Sequence, residues 1–245
     1  MAQMESLMRT SELGIFTQAS PLLDYESEAI VALVEQRGWK HINSISERIE
    51  AIYTMVRDEI SYGYTAHFQI PGSEVLRQGM GNCLTKTTLL MTLLRAAGIP
   101  CRMEAAMVGR ILHRGLLKGI VIHLSPKTLF HSWVSVYYQN KWVELGGHIV
   151  DRPYLAKLQA RYPDYMGSFY GYGIATLNFR NPPIKWEGEE TSIQGKAIRG
   201  ELGSFPDPDS FFAAHPEAER RTRTSRYKLV LRPRLNKNIR RVRAG

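Results

Sequence analysis

Two side chains in this sequence have the type and setting for nucleophilic catalysis, Cys83 and His131. Cys83 opens the run Leu84 to Ala97, whose leucines cover a wide helical arc and which closes at Gly98 and Pro100, the usual punctuation of a helix C-terminus. A thiol in the first turn of such a helix faces unpaired N–H groups and the positive end of the helix dipole, and both favour thiolate over thiol. His131 begins the β-rich run His131 to Tyr138 and is a fitting proton carrier, base first and then acid. On position alone, an inert buried Cys83 and a hydrogen-bonded strand His131 fit the same pattern.

The elements that must position this pair are legible from hydrophobic period. Glu26 to Gln36 and Ile45 to Glu59 have apolar residues at helical spacing, the second with Ser44 or Ser46 as N-cap. The loop Gly79 to Asn82 feeds the Cys83 helix, and Cys101 to Val108 reads as a strand packed beside it. His131–Tyr138 and Lys141–Leu145 flank Gln139-Asn140 and predict a hairpin. Residues 109–130, broken by glycines, read as a long and mobile excursion. Helices first and then sheet predict an α+β fold.

Composition narrows the class. The chain has 245 residues, of which 44% are hydrophobic and 22% charged, so an ordinary globular core is within reach and neither disorder nor a disulfide scaffold is implied. No uncharged run is long enough to span a membrane, and the start Met1 to Glu5 does not read as a signal peptide. Two cysteines in that context predict a reducing, cytoplasmic setting. The net charge of +9 is concentrated in residues 219–245, which hold 11 Lys and Arg against one acid, while residues 1–218 are nearly neutral. That segment reads as a solvated basic tail, with Tyr227 to Leu231 as a final strand; its one aromatic residue makes any polyanion binding weak and sequence-independent.

The string Gly81-Asn82-Cys83, with Leu93-Leu94-Arg95-Ala96-Ala97-Gly98-Ile99-Pro100-Cys101-Arg102, then His131-Ser132-Trp133-Val134-Ser135-Val136 and Lys141-Trp142-Val143, resembles the transglutaminase-like superfamily of papain-like folds. Val56 to Tyr64 resembles the segment before the nucleophile in bacterial members. The resemblance implies a single domain over residues 1–218, with a core at about 45–150 and a C-terminal elaboration at 151–218. It implies the nucleophile helix packed on an antiparallel sheet, Cys83 as nucleophile and His131 as base. The expected activity is thiol chemistry on peptide or protein amides, by a protease or amidase or by an acyl transferase, with no cofactor and no metal. A catalytically impaired peptide- or protein-binding module of the same fold is the alternative.

The family's third residue, an acid after the second tryptophan, falls on Gly146. A two-residue turn at Gln139-Asn140 pairs Tyr138 with Lys141, setting Trp133 opposite Gly146 and His131 opposite His148. Glu144 shares the face of His131, and Asp151 reaches it if the chain bends after Gly146-Gly147. A water, an amide or a backbone carbonyl are the remaining candidates to orient His131. The backbone N–H of Cys83 and the side chain of Gln78 are candidates to hold an oxyanion. Cys101 reads as core, Trp133 and Trp142 as hairpin core, and the aromatic run Tyr162 to Tyr172 as a cover over the sheet.

Overall fold

A computed structural model describes residues 13–245, so the sequence start considered above, Met1 to Glu5, lies outside the described residues. The two amphipathic helices form at Glu28–Arg37 (α1) and Ile45–Asp58 (α2). Ser44 caps α2 by accepting from Glu47 N at 3.3 Å, and Ile49, Ile52, Tyr53 and Val56 are its buried stripe. Two short strands, Ser61–Tyr62 (β1) and Met80–Gly81 (β2), pair in parallel on either side of helix Gly72–Gln78 (α3).

The central helix, Cys83–Ala96 (α4), is buried on all sides. Asn82 caps it in a reciprocal box, its Oδ1 accepting from Thr85 N while Thr85 Oγ1 accepts from Asn82 N. Burying Thr88 and Thr92 costs little, because each hydroxyl donates to the carbonyl four residues earlier. Gly98, at φ +75, ends the helix in the left-handed conformation that a Cβ disfavours.

A five-stranded sheet packs on α4. It comprises Cys101–Gly109 (β3), Thr128–Tyr138 (β4), Lys141–Gly146 (β5), Thr191–Ser192 (β8) and Ile198–Phe205 (β9), in the order β8-β5-β4-β3-β9. The pairings that carry the sheet against α4 are antiparallel, as expected from sequence, and the short pairing of β5 with β8 adds a parallel edge. Gln139 and Asn140 both have positive φ, the two-residue hairpin geometry whose twist matches the strands. Met103, Ala105, Val134, Val136 and Leu145 pack in one core with the leucines of α4.

Residues 109–130 carry short helical turns at Arg110–His113 and Val121–Leu124 (α5). Helix Arg152–Arg161 (α6) and the hairpin Phe169–Gly171 (β6) with Ile174–Thr176 (β7) build a second core, where Phe169 stacks on Phe179 at 4.1 Å. Of the aromatic run, Phe169 is buried in this second core and Tyr162 and Tyr172 pack against it, while Tyr165 and Tyr170 are exposed, so it is not a cover over the sheet.

Residues 219–245 do not form a solvated tail. After helices Pro208–Ala214 (α7) and Pro216–Arg220 (α8), a π-helical stretch Arg226–Leu231 leads into helix Arg232–Ala244 (α9). The expected strand Tyr227–Leu231 is thus corrected to helix. Tyr227, Leu231, Leu235, Ile239 and Val242 step by three and four, so the segment has a helical apolar stripe, and that stripe is buried in the second core. The high charge masks the stripe in a composition count.

Candidate active site

Cys83 is the first residue of α4, placed there by the Asn82 cap. Its Sγ lies 3.8 Å from Phe130 O on β4, and Ser132 Oγ donates to Cys83 O at 3.4 Å, so the head of α4 is seated directly on the strand. Burial pushes the thiol up to about 11, although the backbone N–H groups of Ser132, Leu84 and Cys83 itself favour the thiolate. In this conformation desolvation outweighs the helix terminus, which corrects the depressed thiol pKa expected from sequence.

Cys83 opens into a cavity of about 380 Å³ lined largely by apolar side chains, among them Leu112, Leu129, Phe130, Tyr227, Leu231 and Leu235. Its polar lining was missed in the sequence. Tyr62 Oη is 3.2 Å from Tyr64 Oη, Tyr64 Oη is 2.9 Å from His113 Nε2, and His113 Nδ1 is 2.8 Å from Ser125 Oγ. Burial holds His113 neutral, its value lowered to about 4. The pair Tyr62-x-Tyr64 just ahead of the nucleophile was the available signal; nothing local marked His113. Arg221 also lines the cavity, its guanidinium 4.7 Å over the Phe130 ring and donating to Thr128 O.

His131 is buried and stacks on Trp133 at 5.4 Å. Strand alternation sends these two side chains away from the face that carries Ser132, Val134 and Val136 onto α4. Nδ1 is enclosed without a hydrogen-bond partner, and among the described residues no hydrogen bond joins His131 to Cys83. The sulfur touches the strand backbone immediately beside His131 and does not reach the imidazole. Burial lowers His131 to about 3, so the ring is neutral at ordinary pH.

The other expected site residues are dispersed. The hairpin register runs from Tyr138↔Lys141 to Val134↔Leu145. The chain then turns at Gly146-Gly147, which takes His148 out of the ladder to bond Leu145 O through Nδ1, with Nε2 3.4 Å from Thr87 Oγ1. Asp151 does not reach back to His131: it caps α6 through Tyr154 N, accepts from Tyr62 N and pairs with Arg243. Glu144 is exposed opposite Ser135, beside Trp133. Partial desolvation of its carboxyl beside Trp133, with the nearby Glu190 and Glu104, raises it, against a hydrogen bond from the Trp133 N–H. Gln78 donates to Glu74 Oε1 at 2.7 Å and is not among the residues lining the Cys83 cavity. Cys101 is fully buried, its Sγ 3.7 Å from Met91 O. Among the described residues no cluster of His, Cys, Asp and Glu has the makings of a metal site.

A thiol stands at the head of a buried helix seated against the strand that carries His131 and Trp133, and residues 34–146, which include all three, match the model of the Transglutaminase-like superfamily. The chain carries a transglutaminase-like core. The fold around that core is α+β, with the C-terminal part of the sheet and the last helices as additions to it. Among solved structures, the chain is similar to one described as a "putative cysteine protease" from Cytophaga hutchinsonii, at 12% identity and a TM-score of 0.48. That similarity covers 81% of this chain and 48% of the other, so this chain spans about half the length of that structure. No curated protein matches the chain.

Proposed function

We propose that this protein is a thiol enzyme acting on peptide or protein amide bonds, a cysteine protease or amidase or an acyl transferase, with Cys83 as nucleophile and His131 as base. The observation that carries the reading is the seat of Cys83: first in α4, ringed by backbone N–H groups, at the wall of a 380 Å³ apolar cavity. In the reaction His131 takes the thiol proton, Cys83 Sγ attacks the carbonyl carbon, and the unpaired N–H groups at the head of α4 receive the oxyanion. His131 then returns the proton to the leaving amine, and water or a second amine takes the acyl group. The step requires a rearrangement that brings the His131 ring to the Cys83 side of β4, because strand alternation directs the ring away from the face packed on α4. The cavity lining favours an apolar side chain next to the scissile carbonyl. The two unpaired thiols agree with a reducing, cytoplasmic setting, and no helix of the described residues is long and apolar enough to cross a membrane.

Turnover of a panel of fluorogenic peptide amides, with and without an added primary amine, tests this reading. Release that disappears in Cys83→Ala and His131→Ala supports it. A second reading, a peptide-binding module without turnover, is favoured by the high thiol pKa and by Gly146 in the acid's place. On that reading peptides bind equally to the protein and to Cys83→Ala, and no amide is cleaved. The exposed basic residues of 219–245 also make a surface for weak polyanion binding, which we include in the proposal.

A further inference from the structure

Three residues with a buried polar atom lacking a well-formed hydrogen bond, His131 (Nδ1), Trp133 (Nε1) and Gln194 (Oε1), line one small cavity of about 30 Å³, together with Glu144, toward whose carboxylate the Trp133 N–H also points. A buried polar group left unpaired costs roughly 1–3 kcal/mol, so three in one place call for a common partner. A cavity of this size admits a water molecule, and a buried water needs two to four polar neighbours. His131 and Trp133 supply N–H donors, and Gln194 supplies an acceptor.

Gln194 is placed there by the sheet. The parallel pairing of β5 with β8 sets Ser192 opposite Gly146, and Gln194 follows two residues later. A Cβ at position 146 would stand 3.1 Å from Thr191 O, so β8 runs through the space beside the position where the family carries its acid. The amide orientation is fixed as well. Gln194 Nε2 donates to Gly173 O at 2.5 Å, which turns Oε1 toward the cavity; the flipped amide would set two oxygens against each other. Gln194 is 3% exposed and lines the Cys83 cavity too, so it stands between the thiol's space and the imidazole's.

We infer that Gln194 is the positioning residue for His131: its side-chain carbonyl receives the imidazole N–H across this cavity through one bridging water, in place of a carboxylate at position 146. The bridge fixes one ring nitrogen as donor and leaves the other with a lone pair for the Cys83 proton, so its catalytic consequence rests on the thiol–imidazole reading above. Glu144 lines the same cavity but is exposed and stands opposite Ser135, farther along the strand. It is the competitor the experiment must separate.

The test combines imidazole ¹⁵N NMR of the full chain with the rate of iodoacetamide labelling at Cys83. In the unaltered protein His131 is expected to show a single tautomer with a slowly exchanging ring N–H and a cross-relaxation peak to a long-lived water. Gln194→Met should abolish that ring N–H signal and slow labelling by about tenfold, whereas Gln194→Glu, which keeps an oxygen in place, should retain the signal. An unchanged ring signal in Gln194→Met, or its loss in Glu144→Gln instead, would overturn the assignment. Should Gln194→Met fail to fold, absence of the water peak in the unaltered protein overturns it equally. Labelling that ignores His131→Ala while the ring signal still depends on Gln194 would sink the enzyme reading and leave the positioning role standing.

Discussion

Arg243 grips Asp151 with both guanidinium nitrogens, Nη1 to Oδ1 at 2.8 Å, across 92 residues of chain. The same carboxylate accepts from Tyr62 N at 2.7 Å and Tyr154 N at 2.9 Å, so one buried group ties β1, α6 and α9 together.

Removing it should be costly. Asp151→Ala leaves a partly buried guanidinium unpaired and α6 without its cap, and we expect a loss of about 3 kcal/mol, at the lower end for a buried pair because Arg243 keeps some solvent. Urea unfolding measures it. Burial opposes ionisation of Asp151, yet Arg243 and the two N–H groups hold its carboxyl below the ordinary value. Its contribution is therefore complete above the unfolded pKa of about 3.9 and is lost as pH falls through the lower folded value. Asp151→Asn should remove that part of the acid sensitivity.

Lys86 gives a dependence of the same sign in an alkaline window. Its ammonium is fully buried on α4 and donates to Arg57 O at 3.0 Å and Ile60 O at 2.7 Å. Burial pushes it down to about 7, although Asp151 and Asp58 favour the charged form. Between that value and the unfolded pKa of about 10.4 the unfolded chain binds more protons, so this residue makes stability rise with pH across that interval. Lys86→Met should flatten the rise; parallel slopes in the two proteins would contradict it.

Gly147 is a steric requirement. A Cβ there would come within 2.4 Å of Tyr53 Oη and 2.9 Å of Ile184 Cα, and Tyr53 is itself held by a hydrogen bond to Ile184 O. Gly147→Ala is expected to cost about 2 kcal/mol as an overpacking change. Differential scanning calorimetry against Gly79→Ala, where no atom lies within 4 Å but φ is positive, separates crowding from backbone strain.

Tyr227 closes the cavity over the thiol and donates from its hydroxyl to Thr65 O at 2.6 Å. Tyr227→Ala should cost about 3 kcal/mol and, by admitting water, bring the Cys83 thiol down from about 11 toward its ordinary value. Iodoacetamide labelling against pH reads the change; an unmoved midpoint would mean that burial by this ring is not what suppresses ionisation.

The exposed charges of residues 219–245 predict retention on heparin that falls steeply between about 50 and 200 mM salt. Charge reversal at Arg234, Lys237, Arg240 and Arg241, all exposed on α9, should abolish it without unfolding the chain. Retention that survives the reversal would exclude this surface.

What was legible in the sequence was whatever local chemistry dictates. The Ser44 cap, the Gly98 terminus and the Gln139-Asn140 turn are each written in a few adjacent residues, and each is where it was expected. Gln194 and His113 were not legible, because nothing beside them in the chain announces a function. They matter only once β8 lies along β5 and the Arg110–His113 turn folds under Tyr64. The helical character of Tyr227 to Leu231 was hidden differently, for its apolar stripe is complete only when Leu235, Ile239 and Val242 are counted with it.

The wall that Tyr227, Leu231 and Leu235 give the Cys83 cavity bears on the order in which the molecule comes into being. Synthesis delivers α4 and the sheet well before this wall, so a nascent chain holds its thiol in an open groove until α9 docks. The Cys83 thiol is thus enclosed only after α9 has docked, and a chain halted between β9 and α9 leaves it uncovered.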